Sequence, residues 1–133
     1  MKIQNNVFKS KLHGEITERK AFILWHGNKI AIITERMNDA TEIEYVIEVL
    51  WDDYFKSGCD DTIAGIDMEI KPRRFYVRNH YPSFVIQRVP PEGREDVPNI
   101  LARLGLKHYD KWDIMCKNKG LCGNDDFTVE EII

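Results

Sequence analysis

Two β-rich runs, Ala21-Phe22-Ile23-Leu24-Trp25 and Lys29-Ile30-Ala31-Ile32-Ile33-Thr34, are separated only by His26-Gly27-Asn28. A short link bearing Gly and Asn between such runs is a hairpin signal, so the first third of the chain is expected to be antiparallel β-structure. Val7-Phe8-Lys9-Ser10-Lys11-Leu12 reads as a further strand ahead of that hairpin.

After the hairpin the pattern changes period. Asn38-Asp39-Ala40-Thr41-Glu42 reads as a helix start, with Asp39 capping the free amides and Glu42 reaching back from three residues on. Ile43, Val46, Ile47, Leu50 and Tyr54 follow at helical spacing, with Glu44, Glu48 and Asp52 along another side, and Ser57-Gly58 ends the run. Arg74-Phe75-Tyr76-Val77 and Ser83-Phe84-Val85-Ile86 read as strands divided by His80-Tyr81-Pro82. Strand alternation turns Phe75 and Val77 to the core and Arg74, Tyr76 and Arg78 outward. Short helices are predicted over Val97 to Leu104, with Pro98 in the first turn and Gly105 closing it, and over Asp110 to Lys119, ending at Gly120. A strand from Asp126 to Glu130 finishes the chain. Strands and helices mixed without βαβ alternation predict an α+β fold, and 133 residues predict one domain, 1–133, able to bury about two-thirds of its unfolded surface.

Hydrophobic residues at 43% and charged residues at 31% match ordinary globular usage, so the whole chain is expected to fold. The start carries no apolar leader and no later run is long enough to span a bilayer. Three cysteines, Cys59, Cys116 and Cys122, are an odd set for a disulfide framework, so reduced thiols and a cytoplasmic location are expected. Net charge is −3, but its distribution is uneven: Asp39 to Glu69 holds ten acids against Lys56, whereas Lys71 to Pro91 holds five Lys or Arg and no acid. That division suits steering toward a charged partner.

No complete catalytic or metal set is legible. Cys116 and Cys122 have five residues between them and lack a second ligand pair, so neither a metal nor another cofactor is expected. No G-x-S-x-G, Walker loop or G-x-G-x-x-G occurs. The strongest enzymatic alternative is Asp67-Met68-Glu69-Ile70-Lys71: on a strand, Glu69 and Lys71 would share a face, as in Mg²⁺-dependent nucleases of the restriction type, with Asp67 as a further acid. Lys71, Arg73, Arg74, Arg78 and Arg88, interleaved with Phe75, Tyr76 and Tyr81, form the alternative nucleic-acid surface. A protein partner, with no membrane involved, is the leading expectation. Trp51, Arg88, Arg94 and Trp112 are its candidate anchors, because Trp and Arg are enriched among binding hot spots.

Tyr81-Pro82-Ser83-Phe84-Val85, Arg88-Val89-Pro90-Pro91-Glu92-Gly93-Arg94, Leu104-Gly105-Leu106, Tyr109-Asp110-Lys111-Trp112-Asp113-Ile114-Met115 and Gly120 occur in an order that resembles the small N-terminal subdomain of HipA-type toxin kinases. The resemblance covers about the last fifty residues, and the final turn departs from the family's Gly-Ala pair with Leu121-Cys122-Gly123. It implies a bacterial toxin–antitoxin setting, in which such a module sits on the kinase amino lobe and in some operons is encoded separately, as an antitoxin-like or regulatory subunit that neutralises the kinase. The catalytic residues of such kinases belong to the larger part, which this chain lacks.

Overall fold

The structure, a computed structural model, describes residues 2–133. His26 and Gly27 both adopt positive φ, 48° and 81°, so a two-residue turn joins β1 (Ile16–Trp25) to β2 (Asn28–Asn38), with Trp25 opposite Asn28. Positive φ at both central positions matches the right-handed twist of the flanking strands. The predicted hairpin is therefore present, with longer strands than its apolar runs alone delimit.

A second hairpin turns at Asn38. Its Oδ1 accepts from the amides of Ala40 at 3.1 Å and Glu42 at 2.9 Å, Thr41 sits at φ 60°, and the chain returns as β3 (Ile43–Val49). The helix predicted from the Asp39 cap to Ser57-Gly58 is thus corrected: Asn38, next to the predicted cap, closes a turn instead. The run satisfies both periods in part, and Ile43, Tyr45, Ile47 and Val49 line one strand face. Five β-branched or aromatic residues between Ile43 and Val49 favour the pleated alternative. Only the end of the run is helical, as α1 (Trp51–Lys56).

With β4 (Phe75–Arg78) and β5 (Phe127–Ile132) these strands form one antiparallel sheet in the order β4-β3-β2-β1-β5. The fold is α+β. Register places Ala21, Ile33 and Ile47 in one row and Ile23, Ala31, Val49 and Val129 in the next, all on one face. α2 (Ser83–Ile86), α3 (Val97–Leu104) and α4 (Lys111–Lys117) complete the fold: α2 and α4 bring Phe84, Val85, Trp112 and Met115 into the core on that face, and α3 rests on α4. Two strand expectations change. Ser83–Ile86 is a single helical turn, because Pro82 at φ −62° starts a turn that Val85 N closes onto the Pro82 carbonyl at 2.9 Å. Tyr76, not Phe75, faces the core, since it pairs with Ile47 and is 2% exposed.

Val7 to Leu12 joins no ladder. The segment before β1 first follows the β4 edge, with Gln4 bridged to Arg73, and then lies on the opposite face, where Phe8 meets Phe75 at 6.3 Å and Arg36 lies 5.3 Å over the Phe8 ring. The Asn6 amide bonds both backbone groups of Phe75, at 2.9 and 3.0 Å, and so blocks that part of the β4 edge. On the other edge, Val129 N donates to the Lys119 carbonyl at 2.8 Å. The close approach there requires Gly120 (φ 66°), because a Cβ would lie 2.8 Å from Val129 N. Among the described residues, no helix is long and apolar enough to cross a membrane.

Candidate functional site

Asp67 to Lys71 form a turn closed by Lys71 N donating to the Asp67 carbonyl at 2.9 Å. The shared strand face on which the nuclease reading depended is absent, because buried Ile63, Ile66 and Met68 hold this loop rather than a ladder. Among the described residues, no three His, Cys, Asp or Glu side chains converge where a metal ion could sit. Burial pushes the Cys59 thiol up, and burial with Glu131 and Asp113 pushes Cys116 up to about 12, so both are neutral near pH 7.

The basic stretch does not present a free cationic surface. Arg74 pairs with Glu48 at 2.8 Å, Arg78 donates to the Gly65 and Val77 carbonyls, Arg73 lies over Tyr76, and Arg88 pairs with Asp125. Lys71 is exposed in the turn. Of the acids predicted to steer encounter, Glu44 is engaged, holding Arg36 at 3.1 Å and accepting from the Ser10 hydroxyl at 2.6 Å, whereas Asp52 and Asp53 are exposed.

Three of the four predicted anchors lie inside. Trp112 is fully buried and Trp51 nearly so, its indole N–H donating to the Arg73 carbonyl at 2.9 Å. The Arg88 side chain is buried too: its guanidinium lies 3.6 Å from the Phe84 ring centre, donates to the Phe84 carbonyl at 3.0 Å and holds Asp125, while its Nε has no partner. All three support the fold instead of offering a surface. Arg94 alone is exposed.

Sequence reasoning missed the densest polar cluster. Arg19, Glu35 and Tyr45 occupy one cross-strand row on the core face. Glu35, 3% exposed, accepts from the Tyr45 hydroxyl at 2.9 Å, the Tyr81 hydroxyl at 3.2 Å and Arg19 Nε at 2.8 Å. Arg19 continues to Asp110 at 3.1 Å and Asp113 at 3.5 Å and lies 5.6 Å from the Trp112 ring centre. Asp110 caps α4 by accepting from Trp112 N at 2.9 Å and Asp113 N at 3.3 Å. Burial raises its carboxyl, but Arg19 outweighs that and holds it below the ordinary range. Burial and the neighbouring Asp110 raise Asp113. Burial likewise raises both tyrosines, so they stay protonated donors. The cluster joins sheet to helix, with one guanidinium shared by three carboxylates. The predicted helix beginning at Asp110 was the only part of it legible in the sequence; the row itself depends on strand register.

Two exposed arginines, Arg94 and Arg103, share a cavity elsewhere. A groove of about 450 Å³ lies between the Gln87–Arg94 turn, α3, the end of α4 and the loop at Leu121. Its described lining contains Arg88, Arg94 and Arg103, no Asp or Glu, and the apolar side chains Val89, Pro90, Pro91, Ile100, Leu104, Ile114 and Leu121. Leu121 is 57% exposed. The walls are tied in place: the Tyr109 hydroxyl donates to the Pro90 carbonyl at 2.7 Å, and the buried Arg88–Asp125 pair joins the turn to the loop before β5. Arg94 meets Asp96 through two bonds, at 2.5 and 2.7 Å, in the open. Two predicted site residues, Arg88 and Arg94, therefore come together here, one as a support and one as surface.

No family model matches this chain, and no curated protein or solved structure matches it either.

Proposed function

We propose that the chain is a non-catalytic protein-interaction module and that its partner docks in the groove between the Pro90-Pro91 turn, α3 and Leu121. The observation that carries this reading is the composition of the groove: exposed Leu121 and a fixed apolar floor beside Arg94 and Arg103, without a carboxylate in the described lining. Interface cores combine apolar area with arginine in this way, and preformed walls lower the ordering cost of association. The described side chains elsewhere bring together no metal-binding set.

The partner class to test first is a HipA-type serine/threonine kinase, which the order of the motifs from Tyr81 to Gly120 implies, with this chain as its antitoxin-like or regulatory subunit. Tagged chain is purified from its native host beside a folded Leu121→Asp variant. Recovery of a kinase by the wild type and its loss from the variant is the expected result. Recovery of no kinase, or equal recovery by both, would overturn the assignment.

A further inference from the structure

We infer that the groove recognises an acidic segment of its protein partner, in which one carboxylate replaces Asp96 as the counter-ion of Arg94 and another meets Arg103. This rests on the interaction reading above and specifies the chemistry of the partner.

Charge decides the occupant. Arg88 contributes through the frame, because its buried side chain is held by Asp125 and Phe84. Arg94 and Arg103 are exposed and line the same cavity, which no described carboxylate enters. Guanidinium groups favour planar carboxylates, to which they donate two parallel bonds. Asp96 already demonstrates that geometry on Arg94, with Nε and Nη2 each donating to a different oxygen. It does so from two residues away and fully in solvent, where an ion pair contributes little and exchanges readily. Asp96 is therefore an internal stand-in for the incoming acid, and it competes with the partner. The floor of Pro90, Ile100, Leu104 and Leu121 then accepts an aliphatic side chain next to that acid, so the favoured segment alternates acidic and aliphatic residues.

The test is an NMR titration of the full chain with an alternating Glu-Leu octapeptide and its Gln-Leu counterpart. The expected result is that the Glu peptide shifts the Arg94 and Arg103 Nε signals and the Leu121 methyls and binds about tenfold more tightly than the Gln peptide. Asp96→Asn should tighten the Glu peptide a few-fold, and Arg103→Glu should weaken it about tenfold with the remaining spectrum unchanged. Equal affinity for the two peptides, shifts centred outside the groove, absence of binding by either peptide, or weaker binding by Asp96→Asn would each overturn the inference. Co-purification that still depends on Leu121 would in those cases leave the interaction reading standing, whereas its loss removes that reading itself.

Discussion

Around Glu35 the charges answer one another: Arg19 bridges a buried carboxylate and the cap of α4, and two tyrosine hydroxyls complete the set. Around Leu121 the opposite holds, since Arg94 leans on a solvent-exposed neighbour and Arg103 faces a cavity without a described acid. Both regions use arginine beside aromatic or aliphatic surface, yet only the groove leaves an arginine for an outside partner. A buried charge must be matched within the chain because desolvation is costly, whereas an exposed cation can wait in water at small cost. Composition does not separate the two cases; enclosure does.

The comparison breaks most readily at Trp112. Trp112→Ala should cost about 4 kcal/mol in urea denaturation, as for large aromatic truncations in cores. A folded, equally stable variant with a selective loss of partner binding would return Trp112 to the role of anchor. Glu35→Ala should follow, at about 3 kcal/mol, because it leaves Arg19 and two hydroxyls without their acceptor. Glu35→Gln should cost less, since the amide oxygen still accepts.

Asp110→Asn sharpens the contrast through pH. The folded carboxyl of Asp110 sits below its ordinary value, so its ionic contribution is present above the unfolded pKa and is lost as pH falls through the folded one. Asparagine keeps the cap, so the variant should lose under about 1 kcal/mol at pH 7, discounted because the side chain is about a third exposed. Its stability should then fall less steeply than the wild type below about pH 4. Urea melts from pH 2 to 7 check the sign. Asp113, raised by burial and Asp110, works in the reverse direction and is relieved on acidification. The smallest effect belongs to the groove: Arg103→Glu should change stability by less than about 0.5 kcal/mol, as expected for an exposed side chain with no described counter-ion.

Legibility in the sequence followed how local each signal was. His26-Gly27, Gly105 and Gly120 act within a few residues, and the first hairpin, α3 and α4 were readable from them. Ile43 to Val49 misled because its apolar residues fit two periods, and Asn38 is as able to close a turn as to start a helix. Ser83 to Ile86 is too short for periodicity to decide. Among the site residues, Arg94 was legible and exposed. Arg103 and Leu121 carried no signal of their own, since one is an ordinary helix residue and the other lies in a loop.

Turn chemistry and composition are properties of short segments, and they were enough for the α+β class, the first hairpin and the arginines between Arg88 and Arg103. Which of those arginines face solvent depended on packing. Arg88 and Arg94 look alike six positions apart, and packing against Phe84 and Asp125 buries one while the turn leaves the other in solvent. Burial is set by contacts between residues distant in the chain, and those contacts convert identical side chains into a support and a surface.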